Sequence, residues 1–335
     1  MKNVLVTGGA GYIGSHTVVS LVEQGYFPVI VDDLRNSSST ILNGIETLTR
    51  GRFSILKIDI CDKAALFSVF KKYSFDAVIH FAAYKSVGES VNNPLKYYQN
   101  NLIGLMNILE ACETFSVSRF IFSSSCTVYG EPIEKQVFEI SAKSLPSSPY
   151  GFTKWMGEQI IEDLHKSAVS FKTICLRYFN PIGAHPSGLI GELPVGVPNN
   201  LLPYITQTAA GIRPYLTIFG NDYPTPDGTC IRDYVHVCDV ADAHVQALAI
   251  EPRAQLSAFN IGTGKGTSVL DMVKHFNKVS GKSLTYKFGP RRSGDVTEIF
   301  ANVEAAKNIL GWCSKRSVED AIKDAWNWEQ KRIND

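Results

Sequence analysis

Six short apolar runs punctuate the first half of the chain, at residues 4–7, 27–31, 54–58, 77–81, 119–123 and 173–177. They are apolar throughout rather than alternating, the pattern of strands covered on both faces. Between them the hydrophobic spacing predicts helices at about 14–24, 62–72, 95–114 and 150–167. Buried strands that alternate with helices imply a parallel sheet sandwiched between helical layers. The expected fold class is therefore α/β, a doubly wound parallel sheet of Rossmann type.

After Asn180 the texture changes. Residues 181–203 are rich in Gly and Pro and read as ordered loop rather than sheet. Asn199 or Asn200 is then placed to cap a short helix that stops at Gly211. Residues 216–219 read as a strand and 224–228, Pro-Thr-Pro-Asp-Gly, as a turn. A helix at 239–250 and a strand at 258–261 resume the first pattern, and helices near 268–280, 303–310 and 317–332 follow. The expected division is a dinucleotide-binding domain of residues 1–180, with 235–262 returning to it, and a smaller α+β substrate domain of 181–234 and 263–335. No repeat or low-complexity tail interrupts it.

Composition removes several function classes. The 335 residues, 44% of them hydrophobic, suffice for one large core or two smaller ones. Thirty-three basic and 32 acidic residues leave a net charge of +1, so no global field recruits nucleic acid or an anionic membrane. No apolar run approaches the roughly 20 residues that span a bilayer. Strand-like sequence begins by Val4, leaving no room for a signal peptide. The seven cysteines are odd in number and form no Cys-x-x-Cys pair, which favours reduced thiols in a soluble cytoplasmic protein over a disulfide framework or zinc site. His236, Cys238 and His244 lie close in sequence, but a strand-to-helix junction explains them without a metal.

Two motifs carry the chemistry. Gly8, Gly9, Gly11 and Gly14 follow the first strand and precede a helix pattern, the context in which a glycine-rich turn lets a pyrophosphate approach the helix N-terminus. Tyr12 and Ile13 lie inside this turn. Asp32, at the end of the second strand, is placed to accept hydrogen bonds from an adenosine ribose and to repel a 2′-phosphate, favouring NAD over NADP.

The second motif is Tyr150-x-x-x-Lys154 behind Ser147-Ser148-Pro149, where a serine cap and a first-turn proline predict a helix start. Residues four apart share a helix face. A lysine charge about 5 Å from the phenol, at an effective dielectric near 20, favours phenolate by roughly 3 kcal/mol, or about two pKa units. That would bring proton abstraction within reach of neutral pH. Upstream, Ser125 follows the fifth apolar run, at the strand end where open α/β sheets bind ligands; it is either a relay for a substrate proton or an ordinary strand-end turn.

With these residues in place, the chain resembles the extended short-chain dehydrogenase/reductase family, and within it the UDP-glucose 4-epimerases. The resemblance spans essentially the whole sequence. Its markers include residues 7–16, 85–90, 122–130, Tyr150-x-x-x-Lys154, 176–181, 183–188, 198–201, 218–224 and 232–236. It implies that Tyr150, as phenolate, accepts the sugar 4-hydroxyl proton directly or through Ser125, with Lys154 beside it. Hydride passes from sugar C4 to a tightly held NAD, the 4-keto sugar turns about its bond to the diphosphate, and hydride returns to the other face.

The resemblance also implies that Asn36, Ser37, Asp59, Ile60, Phe81, Ala82, Ala83, Lys85, Asn100 and Tyr178 line the cofactor. Phe179 and Asn180 would lie between nicotinamide and sugar diphosphate. Asn200, Leu201 and Phe219 would meet the nucleotide, with Arg232 and Arg292 on its phosphates and Lys85, Ser125 and Asp295 also touching substrate. A guanidinium fork suits phosphate oxygens.

Ile299 departs from the family pattern, standing where many members restricted to glucose and galactose carry tyrosine. A roomier pocket and turnover of UDP-GlcNAc and UDP-GalNAc are expected of it. A homodimer is implied as well, through the helices at 95–114 and 150–167.

Three rival readings share the scaffold. Dehydratases place an Asp-Glu pair directly after the catalytic serine or threonine, whereas Cys126-Thr127 stand here. Non-catalytic NAD-sensing proteins typically lose the tyrosine or lysine that this chain keeps. A dehydrogenase that releases NADH is distinguished by cofactor retention rather than by residues.

Overall fold

The computed structural model describes residues 2–334 except Ala168, Pro252, Arg253 and Ser293. Its centre is a seven-stranded parallel sheet with spatial order Leu256–Ile261, Lys172–Tyr178, Arg119–Ser125, Ala77–His80, Asn3–Thr7, Phe27–Asp32 and Ser54–Lys57. The order reverses at Asn3–Thr7. Successive strands run outward on either side of it, so their carboxyl ends open a crevice between Asn3–Thr7 and Ala77–His80. All six expected strands lie in this sheet, and the seventh is the expected 258–261 segment begun two residues earlier.

Two apolar layers cover the sheet, one built around Ile30, Ile79, Leu176 and Val240, the other around Leu5, Val78, Phe120 and Ile108. A third cluster around Phe276, Met272, Ile205, Ile218 and Ile322 forms the core of the smaller lobe.

The polar stretch after Asn180 holds more order than its composition suggests. Asn180–Ile182 is a strand paired in parallel with Tyr234–His236, and Ala184 bridges Gly191. The following helix runs Leu201–Ala209, so Pro203 lies in its first turn, where a missing N–H costs nothing. Asn200 occupies the N-cap position, but its side chain makes no capping bond; it reaches Glu192 instead. Gly211, at φ +78°, lies two residues past the helix end. His236 does terminate a strand and cap the Val237–Ala249 helix, its ring accepting from Cys238 N at 3.0 Å.

Several elements depart from expectation. The helix expected at 95–114 is Pro94–Tyr98, a π-helical turn Gln99–Ile103, and Gly104–Thr114. That at 303–310 contains a π turn, Ala306–Leu310. A helix absent from the pattern, Ser39–Thr49, follows the second strand, and its Gly44 lies against the 189–190 loop: a Cβ there would meet Leu189 O at 2.2 Å.

Candidate active site

The glycine turn connects the first strand to the Tyr12–Glu23 helix at the crevice. Gly8 adopts φ +70°, and a Cβ on it would come within 2.7 Å of Ala82 N across the crevice. A Cβ on Gly14 would meet Gly8 O at 2.3 Å, so the turn closes only with glycine at both positions. Gly11 is the helix N-cap and carries no side-chain cap, leaving first-turn N–H groups to an external acceptor. Asp32 ends the second strand almost fully buried, accepting from Ala10 N, Leu34 N and Ser37 Oγ. Burial raises its pKa and these bonds partly offset the rise.

At the far end of the crevice Arg35 pairs with Asp33 at 2.8 Å and with Asp59 and donates to Tyr84 OH at 2.8 Å. Asp59, Tyr84 and Asn100 share a cleft of about 340 Å³ with Arg35. Ile60 is buried, touching the position a Cβ on Gly104 would take, and Asn36 is exposed beside the cleft's Arg35. Phe81 and Tyr178 both pack on the ring of His244, at 4.6 and 5.6 Å, which burial holds neutral with a pKa near 4. Ala83 follows Ala82 at the same strand end, partly buried. A dinucleotide fits these residues: a side-chain-free cradle, an uncapped helix start and a buried carboxylate at the second strand's end.

Tyr150 starts the Pro149–Lys166 helix, which Ser148 caps by accepting from Gly151 N at 3.2 Å. The Ser125 hydroxyl lies beside the Tyr150 phenol and accepts from Thr127 N at 3.2 Å. Lys154, 5% exposed, donates to the Ser123 carbonyl at 2.6 Å, and its ammonium lies 5.0 Å from the Phe122 ring centre. Ser125, Tyr150 and Lys154 thus meet at one strand end.

The electrostatics correct the sequence argument. Lys154 does not pull the phenol down by two units. Burial pushes Tyr150 up to about 12, and the neighbouring Ser125 hydroxyl only partly offsets it. Burial likewise lowers Lys154 to about 8. The i, i+4 spacing is real, but the ammonium is spent on a carbonyl oxygen.

Opposite lies a second constellation. Arg292 holds Asp295 with two bonds, at 3.1 and 2.9 Å, while its guanidinium sits 5.4 Å from the Phe219 ring centre. Arg232 Nη2 lies 4.0 Å from the same carboxylate. Ile299 is cross-strand neighbour to Arg232 and is buried against Phe179, Val128 and Tyr129. Asn180 Oδ1 and Thr127 Oγ1 are buried without a hydrogen-bond partner among the described residues, as atoms awaiting a polar ligand would be.

The chain is similar to proteins of known kind. The chain matches the family model described as GDP-mannose 4,6 dehydratase over residues 5–325. It is 50% identical over 332 residues to the UDP-glucose 4-epimerase of Bacillus subtilis, covering 99% of this chain and 98% of that one. The crystal structure of the Bifidobacterium longum UDP-glucose 4-epimerase in complex with NAD+ and UDP superposes with a TM-score of 0.96 at 41% identity, over 99% of both chains. That of the Stenotrophomonas maltophila enzyme with NAD and formylated UDP-arabinopyranose gives 0.96 at 43%, over 100% of this chain and 99% of that one.

The chain belongs to the UDP-glucose 4-epimerase family. It lies within the extended short-chain dehydrogenases/reductases. The dehydratase in the broader description is the rival weighed above, and Cys126 and Thr127 after Ser125 supply no carboxylate for it.

Sequence reasoning missed three polar residues of this epimerase-family site. Glu192, nearly buried, accepts from Lys85 Nζ at 2.9 Å and Asn200 Nδ2 at 2.6 Å, joining two expected ligand contacts through one oxygen. Asn101, in the π turn, bonds both Tyr84 backbone groups and Thr153. Glu158 lies one turn past Lys154. Only Glu158 had a readable signal, its i+4 spacing from the lysine.

Lys154 carries a stability consequence with a definite sign. Its folded pKa of about 8 lies below the ordinary lysine value, so between pH 8 and 10 the unfolded chain binds more protons and the native state gains stability as pH rises. Below pH 8 the full penalty of the buried charge stands. Lys154→Met is expected to be more stable than the parent by roughly 1–3 kcal/mol at pH 7, with the gap closing towards pH 10. Urea unfolding at both pH values measures it; a gap that widens with pH would refute the argument.

Proposed function

We propose that this protein interconverts UDP-glucose and UDP-galactose by inverting carbon 4, with NAD held in the glycine-turn crevice. The observation that carries the reading is the meeting of Ser125 and Tyr150 at the carboxyl end of a central strand, with Lys154 anchored on the Ser123 carbonyl two residues earlier. Bound NAD supplies the acceptor for the C4 hydride, returns it to the opposite face of the sugar, and in its oxidised form adds a positive charge.

The chain's own residues do the rest. Tyr150 takes the 4-hydroxyl proton, directly or through Ser125, and gives it back to the inverted alcohol. The positive charge that oxidised NAD would add near the phenol favours phenolate and would offset the rise caused by burial. Gly8, Gly11, Tyr12, Ile13 and Gly14 hold the pyrophosphate. Asp32, Asn36 and Ser37 take the adenosine ribose, Asp59, Ile60 and Asn100 the adenine end, and Phe81, Ala82, Ala83, Lys85 and Tyr178 the nicotinamide end. Arg232 and Arg292 take the diphosphate, Asp295 is a further substrate contact, Asn200, Leu201 and Phe219 take the nucleoside, and Phe179, Asn180 and Ile299 flank the sugar. Residues 1–180 with 235–262 form the cofactor domain and the remainder the substrate domain, a division supported by the separate core around Phe276.

Proton NMR of UDP-galactose with the purified protein and no added NAD should show the UDP-glucose anomeric signal growing in. Tyr150→Phe should lose about 10²–10⁴-fold in kcat with UDP affinity retained. No conversion even with NAD supplied would refute the epimerase reading.

Ile299 points to N-acetylated sugars as additional substrates. It is shorter than tyrosine, though β-branched and stiff, and it lines the same wall as Phe179. Ile299→Tyr should abolish turnover of UDP-GalNAc and spare UDP-galactose; an equal loss on both would defeat the idea.

We further infer a homodimer. Leu95, 71% exposed, with Val91, Ile103 and Met106, leaves an apolar stripe along residues 91–106 that a second copy would cover. Light scattering should give twice the 36.9 kDa of one chain; a single-chain mass at micromolar concentration would refute it. A cytoplasmic setting is supported by seven unpaired thiols, and no described helix is long and apolar enough to cross a membrane.

A further inference from the structure

The face of the Pro149–Lys166 helix that carries Tyr150 and Lys154 carries a third ionisable residue two turns on. Glu158 is 5% exposed. Its carboxylate accepts four bonds: from Ser124 Oγ at 2.6 Å, Lys143 Nζ at 2.6 Å, and Arg177 Nε and Nη2 at 2.8 and 2.7 Å. Burial pushes its pKa up, but Arg177 and Lys143 more than offset that and hold it below the usual carboxylate value.

The placement of those donors is what distinguishes Glu158 from an ordinary buried ion pair. Ser124 and Arg177 face each other in the register of adjacent strands, and the next pair along is Ser125 and Tyr178. Arg177 Nη1 also donates to Tyr129 OH at 3.0 Å and to the Glu139 carbonyl at 2.8 Å. Tyr129 closes the 3-10 turn Cys126–Tyr129 that leaves Ser125, and its own hydroxyl donates to Asn260 Oδ1 at 2.6 Å. Ser125 is therefore held from the residue before it and from the turn after it. Both holds lead back to Glu158, on the helix that carries Tyr150.

We propose that Glu158 is a positioning residue: through Ser124 and Arg177 it fixes the Ser125 hydroxyl against the Tyr150 phenol. Only the catalytic consequence rests on the epimerase reading. The placement of Ser125 beside Tyr150 is a property of the protein alone and can be read without turnover.

The test labels tyrosine with ¹³C at Cζ and identifies the Tyr150 resonance by its loss in Tyr150→Phe. Ser125→Ala defines the shift caused by losing the hydroxyl beside the phenol. Glu158→Gln should move the Tyr150 resonance in that same direction. It should also lower kcat for UDP-galactose about 10- to 100-fold, while KM and calorimetric UDP affinity stay within about twofold. Ser124→Ala removes one of the four bonds, leaves the Glu158–Arg177 pair intact, and should move the resonance the same way by less; it decides the matter if Glu158→Gln does not fold.

An unmoved resonance in the folded variants would overturn the proposal. So would kcat and UDP affinity falling together, which is general destabilisation rather than positioning. A parent protein that turns over no UDP-sugar, yet whose Tyr150 resonance follows Glu158 and Ser124, would overturn the reaction and uphold the positioning role.

Discussion

The site depends on how the end of one strand is fastened to the start of one helix. Ser123, Ser124 and Ser125 are consecutive, and each meets the Pro149–Lys166 helix: Lys154 bonds the carbonyl of the first, Glu158 the hydroxyl of the second, and Tyr150 lies beside the third. Residues 150, 154 and 158 recur every four positions and so form one stripe. Along the helix they span about 12 Å, while three strand residues span about 7 Å, so Lys and Glu, with long side chains, must converge on the strand end. Once that fastening is set, the crevice, the tyrosine and the parallel register share one frame. The glycine turn lies two strands away in the same sheet.

That arrangement leaves the site short of charge of its own. Tyr150 is pushed up to about 12 and Lys154 down to about 8 by the same burial, so the protein's own groups keep the phenol protonated at neutral pH. In the epimerase reading, the missing positive charge comes with the oxidised cofactor, and proton acceptance becomes conditional on it. A phenol already ionised without the cofactor would need a dry site to hold an unpaired anion, which is the costlier state. The lysine's role is then to orient and to tip the balance, rather than to ionise the tyrosine single-handed.

The sheet and the two motifs were legible because their signals are local. Apolar runs located all six early strands to within a residue or two, and the Ser148–Pro149 helix start fell where cap chemistry put it. The Ser39–Thr49 helix escaped because its interior mixes Thr, Ile, Asn and Gly, poor helix formers that tertiary contact at Gly44 overrides. Its one readable signal was Ser38, which caps it. Two-residue strands such as Gln136–Val137 are too short for any period to register. The partner of Lys154 lies 31 residues away on a backbone carbonyl, a contact that spacing cannot announce. Glu192 was hidden for the same reason, since Lys85 and Asn200 meet it from distant stretches of chain.

The two ends of the substrate region differ in kind. In the epimerase reading, Arg232 and Arg292, set by Asp295, offer charged forks and Phe219 a flat ring, groups suited to gripping a nucleoside diphosphate in one orientation. Phe179, Ile299 and Val128 present apolar walls, and beside them Asn180 Oδ1 and Thr127 Oγ1 are buried without a hydrogen-bond partner among the described residues. Walls of this kind exclude water without fixing the hydroxyls of a ring, because dispersion contacts are not directional. A 4-keto sugar tethered at its diphosphate can therefore present either face to the same hydride donor at similar cost. Binding energy gathered at the nucleotide end holds the intermediate through that turn, and remote contacts thus serve the chemistry while the reacting ring stays loosely held.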